Sequence, residues 1–517
     1  MPIRARGGRG ARCPALLAAL MLVVTAALYA TGAPARADGA RAGVAVRAGA
    51  GSGGWTGTWY SAPVVGWGPQ DGAVGVGSAG AGWAAGAVRG AGTLGVAGTA
   101  RTVRNVVHTT LGGSRARVTV SNLFGNTPLD LRHATLATAA DPSGTMRTLT
   151  FQGLMRLQVP AGREAVSDPL AFAVPEAADL YVTVYAAGPV TVHPQAQQTS
   201  YVTVGETDRA ADPGVFPGTT GAWQYVTAVD VGGVAGGPTV DGPGPGPAAG
   251  AVVVFGDSIT EGVGSTPDAN HRWTDVLADR LRAAEGAGAA PRAGERPPRT
   301  GGSTPTRAGE SVVRATEGVP GEATEPGPGA GEAMALGPGA GALRATEGTF
   351  RTAETAPRAV LNAGIGGNGL LSSLTGPSGL DRFERDALER PGVRTVIVEL
   401  GINDLLSGEQ RNAEALLSGM RELVRRGHAH GVRVLGTTLT PCGGYGPCTA
   451  RVREARERVN AALRGGGIYD ALVDADRTLR APNAPQELRA AYDSGDGLHP
   501  GDAGYGALGA ALNLGAL

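Results

Sequence analysis

The sequence predicts an α/β fold, a parallel sheet with helices on both faces, preceded by an all-β, sandwich-like region. Three observations lead there. From residue 251 onward, buried-strand runs alternate with segments of helical period. Between residues 54 and 231 the runs alternate apolar and polar, with turn residues between them. A Gly/Pro stretch at 232–250 (GGVAGGPTVDGPGPGPAAG) divides the two patterns and reads as a linker.

Taken in order, residues 1–37 have the pattern of an export signal. Arg4, Arg6, Arg9 and Arg12 precede an apolar run at 14–30, and Ala35-Arg36-Ala37 offers small residues for cleavage before Asp38. A secreted, extracellular protein is expected. An uncleaved N-terminal segment that tethers the chain to a membrane is the alternative. Residues 38–53 form a Gly/Ala tail expected to be disordered. The β-rich region at 54–231 carries RVTVSNLF (117–124), LYVTVYAA (180–187), TSYVTV (199–204) and WQYVTAVDV (223–231). A Gly-rich stretch at 66–100 reads as a long loop inside it.

In the C-terminal region, AVVVFGDS (251–258) reads as a buried strand ending in a turn. Residues 271–285 follow with helical period, placing Trp273, Val276, Leu277 and Leu281 on one face. RAVLNAGIGG (358–367) is a strand and a Gly loop, and FERDALER (383–390) is helical. VRTVIVELGIND (393–404) is a third strand, residues 413–431 a helix ending at glycine, and VRVLGTTLTP (432–441) a fourth strand. Residues 286–357 interrupt this alternation. RATEG occurs at 314–318 and 344–348, and GPGAG at 327–331 and 337–341, which marks a low-complexity insertion and a solvated tether.

Composition narrows the function. Gly accounts for 86 of 517 residues without a collagen period, so part of the chain is linker. Basic and acidic residues number 45 each, and all the basic ones are Arg. That balance leaves no nucleic-acid footprint. Past the N-terminus, no apolar run approaches the length of a membrane span. Cys442 and Cys448 have five residues between them in CGGYGPC. Outside the cell a local disulfide is expected, with two free thiols as the alternative. The seven His residues show no metal-ligand spacing, so no metal and no cofactor is expected. Trp55, Trp59, Tyr60 and Trp67 cluster at the start of the β-rich region and read as packing rather than sugar-stacking residues.

Four stretches carry chemistry. In GDSITEG (256–262), Ser258 follows a strand where the chain turns toward a helix. A serine there can expose its hydroxyl at the carboxyl edge of the sheet, and its N–H points to the helix N-terminus, where negative charge is favoured. In Asp496-Gly497-Leu498-His499-Pro500, a His able to accept a serine proton lies three residues from a carboxylate able to orient it. In Gly401-Ile402-Asn403-Asp404, the Asn amide can donate to a developing oxyanion, while Asp404 reads as a brace for the loop. In Asn362–Asn368, glycines let a backbone N–H approach a substrate closely.

These four blocks, in this order, closely resemble the SGNH hydrolases, the GDSL esterase/lipase family. The resemblance covers 251–517 apart from the insertion. It implies a flavodoxin-like three-layer fold, with Ser258 as nucleophile, His499 as general base and Asp496 as its orienting carboxylate. The oxyanion hole it implies is Ser258 N–H, Gly367 N–H and the Asn403 side chain. GDSI stands here where the family has GDSL, an exchange of one apolar residue. Residues 257–281 and 119–137 further resemble secreted two-domain actinobacterial members of an acetylxylan-esterase-like group.

The resemblance therefore implies a secreted serine esterase that cleaves carboxylic esters through an acyl-enzyme. Short acyl groups on carbohydrate are the expected substrate. A lipase or general carboxylesterase acting on acyl chains is the alternative within enzymes. A non-catalytic carbohydrate-binding surface protein is the alternative outside them. The expected partner is an ester substrate, either an acylated polysaccharide or a lipid, with no nucleic acid and no membrane span once the signal is cleaved.

Overall fold

The structure, a computed structural model, describes residues 54–64, 100–234, 250–289, 358–408 and 412–517. The expected signal at 1–37 and the tail at 38–53 lie outside the described residues. So do all but the ends of the 66–100 loop, the 232–250 linker and the 286–357 insertion.

The N-terminal half is antiparallel. In one sheet Trp55–Tyr60 pairs with Val226–Gly232, which pairs with Gly113–Asn122, which pairs with both Arg163–Val166 and Leu170–Val174. A second runs from Gly218–Thr220 through Ser200–Val204, Arg101–His108, Asp179–Ala187 and Leu129–Thr138 to Arg147–Thr148, and Val192–His193 pairs with Trp223–Gln224 in a small third. Side chains on a strand alternate between faces, so one residue in two is committed to the core. Leu180, Val182, Val184 and Ala186 keep that period and are all fully buried. The run expected as one strand at 223–231 is divided. Tyr225 adopts a left-handed φ of 65° between Trp223–Gln224 and Val226–Gly232.

The C-terminal half is a five-stranded parallel sheet. Its strands are β1 (Gly250–Gly256), β2 (Arg358–Gly364), β3 (Val393–Glu399), β4 (Arg433–Thr437) and β5 (Leu472–Val473), in the spatial order β2-β1-β3-β4-β5. Its helices are α1 (Ser258–Glu261), α2 (Trp273–Ala289), α3 (Gly379–Phe383), α4 (Ile402–Ser407), α5 (Ala413–Ala429), α6 (Ala450–Arg464), α7 (Ala475–Leu479) and α8 (Asp502–Ala511). The expected helix at 383–390 begins earlier, at Gly379, because Ser378 caps it by accepting from Asp381 N–H.

A parallel sheet buries both faces, which explains why β1 is an unbroken apolar run. Val252 and Val254 pack with Trp273, Leu277 and Leu281 of α2 on one side. Val253 and Phe255 belong to the core of the other side, together with Leu416, Met420 and Leu423 of α5. That second core continues without a break into Val118, Val120, Val182 and Val184 of the antiparallel half. The linker thus separates two kinds of sheet, while one apolar core joins them.

Polar contacts fasten the same seam. Thr110 Oγ1 donates to the carbonyl of Val360 (3.0 Å), and Tyr60 donates to Asp386 (2.7 Å). Gly57 N–H donates to the Pro391 carbonyl (3.0 Å). A Cβ on Gly57 would lie 2.8 Å from the Leu361 side chain, so glycine is what allows this close approach.

Candidate active site

The order β2-β1-β3 makes the carboxyl end of β1 a switch point, where chains leave to opposite sides of the sheet. In open α/β sheets this is where ligands bind. Register places Gly256 beside Gly364 on one side and Glu399 on the other. The loops carrying Ser258, Gly367 and Asn403 therefore leave the same edge from three neighbouring strands.

Ser258 is the first residue of α1. Asp257 caps that turn by accepting from Ile259 N–H (3.1 Å), and Gly262 closes it with a left-handed φ of 100°. The turn is cramped. A Cβ on Gly256 would fall 2.0 Å from Thr260 Oγ1, and one on Gly364 2.2 Å from Glu261 N.

Ser258 Oγ lies 2.8 Å from His499 Nε2, and His499 Nδ1 lies 2.6 Å from Asp496 Oδ2. The other Asp496 oxygen accepts from the N–H groups of Leu498 (2.9 Å) and His499 (2.8 Å). Burial pushes Asp496 up, but the His499 hydrogen bond and charge, with the two N–H groups, outweigh it. Asp496 is held below the ordinary carboxylate range. An ionised Asp496 accepts from Nδ1–H, which leaves the Nε2 lone pair facing the serine hydroxyl. Ser258 and His499 are both buried. Such a group of three can activate the hydroxyl as a nucleophile and hold the proton it loses.

The expected oxyanion donors stand on the same edge. Gly367 has a left-handed φ of 73°, which an L side chain adopts with strain. Asn403 donates one amide hydrogen to the carbonyl of Asn368 (3.1 Å), which fixes its orientation and leaves its second donor. Asp404 is a brace, accepting from the N–H groups of Leu370 (2.6 Å), Leu371 (2.9 Å) and Ser372 (3.0 Å). Cys442 and Cys448 are joined as a disulfide. Their loop abuts the His499 loop, since a Cβ on Gly497 would fall 2.3 Å from the carbonyl carbon of Gly444.

Several supporting residues escape a sequence reading. Arg382 is fully buried and donates to the carbonyls of Gly256 (2.7 Å) and Ala363 (2.9 Å) and to Asn368 Oδ1 (2.9 Å). It ties together the ends of β1 and β2. Its charge is balanced by Asp386, 3.2 Å away and equally buried. Asp257 and Glu399 are buried beneath α1. Burial first, and then the neighbouring Asp257 charge, holds Glu399 well above its ordinary range; burial likewise raises Asp257, to about 7. Glu261 meets His193 of the antiparallel half at 3.0 Å. Arg382 stands beside the FERDALER run and Asp257 inside the Ser258 block, yet nothing local marks their partners. The absence of metal-ligand spacing in the sequence also does not carry into three dimensions, since the fold gathers His133, Glu206 and Asp208.

Residues 324–507, about a third of the chain, match the model of the GDSL-like Lipase/Acylhydrolase family. The match includes Gly367, Asn403, Asp496 and His499. It begins within the 286–357 insertion and so leaves out Ser258, which only the fold joins to the rest. No curated protein matches the chain. Among solved structures, the inhibitor-bound aryl esterase of M. smegmatis is 16% identical, covering 50% of this chain and 95% of its own, with a TM-score of 0.30. The lipase/acylhydrolase of Enterococcus faecalis is 17% identical, covering 51% and 92%, with a TM-score of 0.29. At those scores the likeness adds nothing to the family match.

Proposed function

We propose that this chain, which as a GDSL-type acylhydrolase is an enzyme acting on ester bonds, uses Ser258 as its nucleophile, His499 as general base and Asp496 as the carboxylate that orients it. The observation that carries this reading is the continuous contact Ser258 Oγ–His499 Nε2–His499 Nδ1–Asp496 at 2.8 and 2.6 Å. Ser258 Oγ bonds to the ester carbonyl carbon while its proton moves to His499 Nε2. The tetrahedral oxyanion is held by Ser258 N–H, Gly367 N–H and Asn403 Nδ2. The C–O bond to the alcohol then breaks, and His499 returns the proton to the leaving oxygen. Water, deprotonated by His499, attacks the acyl-enzyme, and release of the acid restores the Ser258 hydroxyl.

The substrate we propose is a short acyl ester on carbohydrate. The resemblance of 257–281 and 119–137 to acetylxylan-esterase-like enzymes supports it, with the antiparallel half as an accessory sandwich domain. We further propose that the chain is exported. The pattern at 1–37 supports that, and a disulfide fits an oxidising compartment. Initial rates on p-nitrophenyl acetate, butyrate and palmitate, followed by acetylated xylan, test the substrate. Acetate preference supports this reading, and palmitate preference replaces it with a lipase. N-terminal sequencing of protein from the culture medium tests export, with a mature start at Asp38 expected.

A further inference from the structure

On the outer surface of the antiparallel half, three potential ligands from two segments converge. His133 lies on the strand Leu129–Thr138, and Glu206 and Asp208 follow the strand Ser200–Val204. His133 Nδ1 is 3.0 Å from Glu206 Oε1 and 3.8 Å from Asp208 Oδ2. One ligand atom from each of the three lies within 4.8 Å of the others.

An ordinary ion pair does not account for this arrangement. Asp208 is 1% exposed, yet neither of its carboxylate oxygens has a hydrogen-bond partner among the described residues. His133 Nδ1 is equally unpartnered despite its short distance to Glu206, because the two are not aligned for a hydrogen bond. A buried carboxylate without a partner is costly, and a second carboxylate beside it adds repulsion. A cation among the three removes both problems. Ligand atoms each about 2.1 Å from a tetrahedral ion stand about 3.4 Å apart. The two separations from His133 Nδ1, 3.0 and 3.8 Å, lie on either side of that value. The loop is also anchored, since Thr135 Oγ1 donates to the Asp208 carbonyl (2.8 Å) and Arg104 donates to the carbonyls of Ala210 and Ala211.

We infer that His133, Glu206 and Asp208 form a divalent-cation site, separate from the Ser258 centre and suited to zinc. One imidazole nitrogen with two carboxylates is a zinc-type donor set, whereas calcium takes oxygen ligands throughout. Three protein ligands leave a coordination position open. His133 and Glu206 also line a surface cavity of about 520 Å³, with Arg132, Tyr185, Leu154 and Met155 around it. The open position therefore faces a space that can admit water or a ligand oxygen.

The test uses the full chain, free of any affinity tag and stripped with chelator. Zinc, manganese and calcium are titrated separately, with bound metal measured by elemental analysis and Tm recorded alongside. One zinc per chain and a raised Tm are expected, with Ser258→Ala binding as the parent does. Glu206→Gln, at a half-exposed side chain that can change without a core defect, is expected to raise the Kd for zinc at least about 10-fold. His133→Gln is expected to do the same. Absence of uptake by the parent overturns the site, as does uptake unchanged in both variants. Calcium bound at one per chain with zinc excluded overturns the zinc assignment.

Discussion

His193, from the antiparallel half, places its Nε2 3.0 Å from Glu261 Oε1, on the same short helix that Ser258 begins. The His193 Nδ1 is 2.9 Å from the Ala62 carbonyl, and its ring packs on Trp223 at 5.3 Å between centroids. Glu261 has almost no slack, since a Cβ on Gly366 would fall 2.5 Å from its Oε2. The antiparallel half thus reaches the Ser258 turn at the Glu261 side chain.

Truncating His193 to Ala leaves the Glu261 carboxylate buried without that partner. His193→Ala removes a buried ring packed on Trp223 together with that close contact, and is expected to lose about 2–5 kcal/mol in urea unfolding, the scale of a large-to-small core change. Changing both residues to apolar ones of similar volume, His193→Leu with Glu261→Met, is expected to cost less than the single change. Equal or additive losses would mean the two side chains do not act as a pair.

The Asn403 amide is fixed by its bond to the Asn368 carbonyl, in the loop that follows the strand next to the one leading into Ser258. Asn403→Ala is expected to lower kcat about 10²–10³-fold, the usual effect of removing one oxyanion donor, with little change in KM. A change confined to KM would assign Asn403 to substrate binding instead.

Asp496 sets the tautomer of His499 through a 2.6 Å contact. Asp496→Asn is expected to lower kcat on the order of 10⁴-fold, because the neutral amide no longer stabilises the imidazolium. The parent Asp496 is depressed, so its contribution to stability is complete above the unfolded value and fades only as pH falls through the lower folded one. It therefore stays ionised in weak acid. Loss of parent activity there is therefore not assigned to Asp496. A pH–rate profile flat from neutral to strong acid would contradict the general-base role.

The sheet was legible, and the residues of the proposed site could be singled out, because each depends on local order: an apolar run, then a glycine turn, then a polar residue at a fixed offset. The strands at 251–258, 358–367, 393–404 and 432–441 have that form, and all four appear in the sheet. Leu472–Val473 is too short to show it. The helix α6 was missed among Arg and Glu residues, although Val452, Ala455, Val459 and Leu463 keep a helical period and are buried. The His193–Glu261 contact, the Arg382 tie and the His133–Glu206–Asp208 group join distant parts of the chain. Their meaning arises only from packing, which no local pattern encodes.

Burial raises both Asp257 and Glu399 beneath the Ser258 turn. A carboxyl raised on folding binds its proton more tightly in the folded state. Stability from this source is complete below the unfolded value, near 4, and is lost as pH rises toward the folded one, about 7 for Asp257. Asp257→Asn keeps an acceptor for Ile259 N–H and removes one of the two raised carboxyls. It is expected to flatten the decline in urea midpoint between pH 4.5 and 8 and to gain on the parent at the higher pH. An unchanged decline would place the titration elsewhere.

The central claim, that Ser258 is activated by His499 across the fold, is tested most directly by labelling with a fluorophosphonate and mapping the adduct by peptide mass spectrometry. One adduct per chain on Ser258 is expected, absent in Ser258→Ala and strongly slowed in His499→Ala. An adduct on another residue, or ester hydrolysis that persists in Ser258→Ala without any adduct, would contradict it.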